Sequence, residues 1–366
     1  MGKTFQYLSN LPGWHTNRKI VVIHSDDWGS IRMPSLHVRN RLLKYKDIDV
    51  SSPYNYLDTL ASTEDLEALF DVLTSVKDKN GHYPVITANC VVTNPDFDAI
   101  KKSQYNDYFY DTIPKTFEKH NLIKSFDLWK EGIITGIFIP QFHGREHVNV
   151  AQWLEKLKAN HPGVRKAFEH GVYGADFYNL GIGKSNFQAA WDFETEEQKN
   201  NISRMLIEGI KLFEQIFDMP SVTAIAPSYT WANMHEKLLF EKGIKQMQGI
   251  FFQKMPLGGF KYKRKMRFTK SEKEFAGYQM RNVFFEPALI KPQNQIDMVL
   301  KRTEIAFKMR KPAVIGSHRL NYIGVHDETN RKETLDQLRA ILNTIIKKWP
   351  DAEFMSAVSL AKIMIT

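Results

Sequence analysis

Two aspartates stand side by side in His24-Ser25-Asp26-Asp27-Trp28-Gly29, directly behind the apolar run Ile20-Val21-Val22-Ile23. Adjacent carboxylates repel, and a buried unpaired charge is costly enough that it neutralises or finds a cation. A helix cap accounts for one aspartate, with Gly29 relieving the backbone after it; two ask for a positive partner. A second cluster, His143-Gly144-Arg145-Glu146-His147, sets two imidazoles four positions apart. On a helical turn both would project from one face and grip a single cation. With one aspartate they make a two-histidine, one-carboxylate set that leaves positions open for water and substrate, and that suits zinc, cobalt, nickel or iron. The remaining carboxylate can then take a proton from water acidified by the cation. Each part has a plainer reading: an i, i+4 histidine pair on a surface, Glu146 as a solvated charge, and His318 as a satisfied core histidine.

These residues are far apart in sequence, so a fold must gather them. Short apolar segments alternate with stretches of helical period, an order that favours a parallel sheet or barrel. Strands are expected over 20–25, 84–92, 133–141, 221–227, 244–248, 282–285, 312–317 and 353–355. Helices are expected after Ser62, through Trp153-Leu154-Leu157, over 195–218, 233–242, 293–309 and 332–348, and at the C-terminus. About eight strands interleaved with helices match the repeat of a β/α barrel. In that architecture chemistry sits where strands end, and four strand ends are chemically loaded: Asp26-Asp27, Gln141 to His147, Pro227-Ser228-Tyr229-Thr230-Trp231, and Ser317-His318-Arg319.

Composition bounds the rest. The chain has 366 residues, 43% hydrophobic and 25% charged, and no linker or repeat, so one domain over 1–366 is expected, with a basic loop insertion at about 251–281. No apolar run of membrane-spanning length and no signal-peptide pattern occur, which makes a cytoplasmic protein the expectation. The single cysteine, Cys90, excludes an intrachain disulfide and reads as a buried strand residue. The charge of +9 concentrates at 261–273, read as an exposed mobile loop; no nucleic-acid-binding signature accompanies it. Leu180 to Ser185 imitates a phosphate loop but has Tyr178 where glycine is required, and is read as a surface loop.

The series HSDDWG, HGREH, APSY and VIGSH, in that order, resembles the motifs of polysaccharide deacetylases, the NodB-homology or carbohydrate esterase family four group. The first motif is also similar to that of YdjC-like carbohydrate deacetylases. The resemblance implies a distorted (β/α) barrel of about seven to eight strands, holding a divalent metal, usually zinc, and hydrolysing acetyl groups on sugars. It implies Asp27, His143 and His147 as metal ligands, Asp26 as general base and His318 as general acid. A backbone N–H near Tyr229 would help hold the oxyanion. Trp28, Tyr229 and Trp231 are candidates to stack on a sugar, with Arg145, Glu286 and Arg319 as further substrate-side candidates. The sequence departs from the family where Ala226 stands in place of an arginine that orients the base; Arg145 and Arg319 are candidates for that task. Phe285-Glu286-Pro287 is at best a replacement for the fourth motif. The expected function is metal-dependent deacetylation of a carbohydrate, N-acetyl before O-acetyl. The rivals are hydrolysis of a linear or cyclic non-sugar amide, and silent carbohydrate binding.

Overall fold

The computed structural model describes residues 3–270, 277–290 and 295–365. Its centre is a sheet of nine strands: β1 (Lys19–Trp28), β2 (Ile86–Cys90), β3 (Phe138–Phe142), β4 (Thr223–Ile225), β5 (Gln246–Gly249), β6 (Gly277–Met280), β7 (Val283–Phe284), β8 (Ala313–His318) and β9 (Ala352–Met355). Eight follow the order β6-β5-β4-β3-β2-β1-β8-β7, every pairing is parallel, and β9 joins the start of β1. The two edge strands β6 and β7 are separated by only Arg281 and Asn282. Three Cα steps reach at most about 11 Å, so the sheet curls until its edges nearly meet. At the seam the Arg281 N–H donates to Gly249 O and the Asn282 N–H donates to Val314 O. The edges of this α/β barrel are thus brought together by the chain, with no ladder between them among the described residues.

Helices cover the outside for the reasons their sequences state. Thr63–Thr74 opens with a reciprocal capping box between Ser62 and Asp65 and buries Leu66, Leu69, Val72 and Leu73. Glu196–Phe217 turns Ile202, Leu206, Ile210 and Phe213 inward and stops at Asp218 in a left-handed conformation. The barrel interior is less usual. Alternation along β1 puts Ile20, Val22, His24 and Asp26 on one face, and above the apolar pair that interior is filled by side-chain amides. Asn89 and Gln248 bond each other, Gln248 donates to Thr223 Oγ1, Gln141 accepts from Thr223, and Gln279 donates to Gln246 and to Ala357 O of the C-terminal helix Ala357–Ile365. His24, left unassigned by its motif, meets Gln279 at 3.2 Å.

Three expectations change. Ile133 and Ile134 end the helix Ile123–Ile134, so β3 starts later, at Phe138; a short apolar run does not by itself distinguish a helix end from a strand. The basic stretch is a hairpin, Phe252–Gly258 with Lys261–Met266, rather than a loop, and residues 271–273 of it lie outside the described residues. The supposed insertion also contains β6, which is part of the barrel.

The connections after β1 and β3 together bury a second apolar cluster, including Met33, Leu42, Trp153, Phe168, Tyr173 and Phe187, as long loops commonly do. This lobe walls one side of the strand ends. Residues 180–185 run irregularly along it, with Lys184 paired to Asp192. Among the described residues no helix is long and apolar enough to cross a membrane. Cys90 is fully buried and its thiol pKa is pushed up by burial.

Candidate functional site

Strand alternation would send Asp26 and Asp27 to opposite faces of β1. Instead the register with β2 slips between Ser25 and Trp28, and Asp27 takes φ 71°, a left-handed conformation that aspartate tolerates better than most residues. The kink turns both carboxylates into one cleft of about 310 Å³. Trp28 absorbs the turn: it is buried against Trp129 and Phe138, and its Nε1 donates to Ser25 Oγ.

Asp27, His143 and His147 offer three ligand atoms within 4.8 Å of one another, a group able to hold a metal ion. His143 and His147 come from an irregular loop and not from the helical turn expected of their spacing; their ring centroids are 4.9 Å apart. The loop is pinned because Arg145 O accepts from the N–H groups of Val92 and Thr93 and from Thr93 Oγ1. Gly144 is required there: its φ is 119°, and a Cβ would stand 3.2 Å from Trp191 Nε1. His143 Nδ1 lies 2.9 Å from Ile225 O. A carbonyl only accepts, so Nδ1 carries the proton and Nε2 presents a lone pair. That lone pair faces Asp27 Oδ1 at 3.4 Å, and His147 Nε2 faces the same oxygen at 3.0 Å. The His143 lone pair pointing at a carboxylate oxygen calls for a cation between them, and ligands about 2.0–2.1 Å from a tetrahedral zinc stand about 3.3–3.4 Å apart. The residues fit the ion. Burial opposes ionisation of Asp27, but Arg32, donating to Oδ2 at 2.8 Å, and the imidazoles outweigh it and hold its pKa well below the usual range. Burial also lowers the His147 pKa, to about 4, keeping the ring neutral.

Asp26 stands apart from this trio. Arg281 donates to both of its oxygens and Asn89 donates to Oδ1 at 2.8 Å. Burial would raise its pKa, yet Arg281 holds it well below the usual carboxylate range. The guanidinium at Asp26 comes from the end of β6, and sequence reasoning overlooked it because that strand was read as part of an insertion. The signal available was polar: Tyr278-Gln279-Met280-Arg281 has no apolar run to mark a strand, since Gln279 faces the amide-filled interior.

His318 ends β8, its Nε2 3.8 Å from Asp26 Oδ2 and its Nδ1 2.6 Å from Glu286 Oε1. Burial alone would lower its pKa, but Glu286, helped by the two aspartates, raises it to about 9. Glu286 is fixed in turn by Asn321, which donates to Oε2. Tyr229 lines the cleft and its hydroxyl accepts from Arg281 Nη1 at 3.0 Å; burial raises its pKa to about 12.

Several expected substrate contacts lie elsewhere. Of the backbone N–H groups near Tyr229, that of Tyr229 itself donates to Ala226 O in a tight turn. Trp28 and Trp231 are buried core residues, Trp231 donating to Glu236, so neither ring is free to stack on a sugar. Arg145 is committed to Glu146 and Glu208, and Arg319 to Asp58, so neither orients Asp26. Glu286 contacts His318 and is not among the residues lining the cleft.

No family model matches the sequence, and no curated protein matches it. Solved structures similar to this chain include a 4-α-glucanotransferase from Thermococcus litoralis, at 10% identity and TM-score 0.48, over 95% of this chain and 41% of that one. Others are an allantoinase, at 11% identity, TM-score 0.46 and coverage of 97% and 94%, and a chain described as a polysaccharide deacetylase from Mycobacterium smegmatis, at 10% identity, TM-score 0.44 and coverage of 97% and 94%. Structural neighbours thus include polysaccharide deacetylases and an allantoinase. The chain spans less than half the length of the glucanotransferase.

Proposed function

We propose that the protein is a metal-dependent hydrolase that removes an acetyl group, in the first instance an N-acetyl group, from a carbohydrate. The observation that carries this reading is the opposed pair in one cleft: Asp26, locked as a carboxylate by Arg281, faces the cationic His318 beside the Asp27–His143–His147 trio. Two titratable groups pushed to opposite protonation states are the equipment of general acid–base catalysis.

A divalent ion, zinc by preference for this donor set, would polarise the acyl oxygen and acidify water. Asp27, His143 and His147 would hold it. Asp26 accepts the proton of the attacking water; Arg281 and Asn89 fix the orientation of its carboxylate. His318 donates a proton to the departing amine, which would otherwise leave as a poor anion. Glu286 holds the ring by Nδ1, so Nε2 is the nitrogen that gives the proton up. Tyr54 packs at right angles to the His318 ring, 5.5 Å between centroids.

The test is acetate release from N-acetylglucosamine and its short oligomers by zinc-loaded protein. Asp26→Asn should keep the metal and lose about 10²- to 10⁴-fold in kcat, the range for a single acid–base group. Acetate release at the wild-type rate by Asp26→Asn would overturn the assignment. A ring-opened acid from a cyclic amide, with no acetate from sugars, would move the reading to a non-sugar substrate on the same site.

A further inference from the structure

The inner cleft is accounted for by the trio and the acid–base pair; its outer wall is not. Gln188 is 7% exposed and Asn55 is 1% exposed, and both line the cleft. Among the described residues neither Nε2 nor Oε1 of Gln188 has a hydrogen-bond partner, and Asn55 Oδ1 has none. A buried amide atom without a partner costs about 1–3 kcal/mol unless something else completes it. Their positions are held from outside. The Gln188 N–H donates to Asn186 Oδ1 and its C=O accepts from Ala190; the Asn55 N–H donates to Ser52 O at the start of the short helix Pro53–Leu57.

Both are close to the chemistry. Gly174 separates Gln188 from Arg32: a Cβ at that glycine would stand 3.5 Å from Gln188 Nε2 and 3.4 Å from Arg32 Cδ. Arg32 in turn bonds Asp27. On the other side Tyr54, the neighbour of Asn55, has the Arg32 guanidinium 4.9 Å above its ring and His318 at its edge. Gln188 thus lies near Arg32, and Asn55 lines the same cleft from the other loop, while Arg32 itself is engaged by Asp27 and lies 3.7 Å from Asp58.

We propose that Gln188 and Asn55 are the specificity-determining residues of this cleft, reading the hydroxyl groups of one neutral sugar ring whose acetamido group lies at the trio. This rests on the deacetylase reading above and narrows its substrate. A hydroxyl both donates and accepts, which is what an amide with both ends vacant demands; Asn55 Oδ1 asks for a donor. An anionic substrate fits less well, since the one arginine lining the cleft is bound to Asp27. A volume of about 310 Å³ suits one ring and its substituents, not the middle of a long polymer.

The test is calorimetric titration of zinc-loaded protein with N-acetylglucosamine, alongside acetate release, for wild type, Gln188→Leu and Asn55→Leu. The proposal expects each variant to bind at least tenfold more weakly while retaining its zinc. It also expects the free Gln188→Leu protein to melt no lower than wild type, because an apolar isostere replaces groups that are unsatisfied without ligand. Equal binding by wild type and both variants overturns the proposal and leaves the catalytic reading intact. Wild type that neither binds the sugar nor releases acetate from it, yet hydrolyses acetanilide, overturns the proposal and moves the reading above to a non-sugar amide. Sugar binding that depends on Gln188 and Asn55, without turnover, upholds the proposal and overturns the catalytic reading.

Discussion

Arg281 donates to both carboxylate oxygens of Asp26, at 2.5 and 2.7 Å, across 255 positions of sequence. Its Nη1 also reaches the Tyr229 hydroxyl, so one guanidinium ties the ends of β1, β4 and β6 together at the seam of the barrel. A lysine keeps the charge but not the planar fork. Arg281→Lys should lower kcat about 10- to 100-fold with little change in zinc content. Arg281→Met leaves Asp26 buried and unpaired and should cost about 3–5 kcal/mol of stability, read by urea unfolding. Wild-type kcat in Arg281→Lys would mean that the clamp is only structural.

His318 provides the pH dependence. Its folded-state pKa is raised to about 9, chiefly by Glu286 against the opposing effect of burial. The protonated ring is the active acid, so kcat should fall as pH rises through about 9. Without the Glu286 charge and hydrogen bond the largest raising causes are lost and the ring loses its proton earlier. In Glu286→Gln the basic limb should move down from about 9 towards 6.5, the ordinary value for histidine. Activity at pH 8 should then be lost while activity at pH 6 is largely kept. A basic limb that stays near 9 in this variant would remove His318 from the role of acid.

Metal removal should be visible in stability as well as in rate. A ligand bound only by the native state stabilises it by about 4 kcal/mol at a thousandfold excess over Kd. Dialysis against a chelator should therefore lower Tm by several degrees and abolish acetate release, with both restored by one equivalent of zinc. Asp27→Ala should show the low Tm at every zinc concentration.

His24 predicts an acid-side loss of stability. Burial lowers its pKa to about 3, so the native ring stays neutral while the unfolded ring protonates near 6.5. The unfolded state then binds more protons below that value. This contribution is fully present above about 6.5 and is lost as pH falls towards 3. His235, lowered by burial to about 4, acts in the same direction. His24→Gln should flatten the slope of unfolding free energy between pH 6.5 and 4 without removing it, as measured by urea titrations at several pH values.

Much of the scaffold was legible because it is written in apolar spacing. The run Ile20 to Ile23 and the capping box at Ser62 locate their elements directly. The strand ends then bring Asp26, Asp27, His143, His147 and His318 into one cleft, as the barrel order implied. What was hidden is polar. β6 has an interior face of glutamine and arginine, so it carried no strand signal, and Arg281 at its end was missed with it. Trp28 and Trp231 show the converse: aromatic rings next to motif residues looked available for a sugar, but the same kink that aims Asp27 drives Trp28 into the core. Gln188 and Asn55 had no signal at all in sequence, since only folding reveals that an amide has been buried without a partner.

The central claim is that Asp27, His143 and His147 share one metal ion while Asp26 does not touch it. Anomalous diffraction at the zinc edge from crystals grown with zinc tests this directly. One peak per chain is expected, about 2.0–2.1 Å from Asp27 Oδ1, His143 Nε2 and His147 Nε2. A peak ligated by Asp26, or no peak at the trio in zinc-replete crystals, would contradict it.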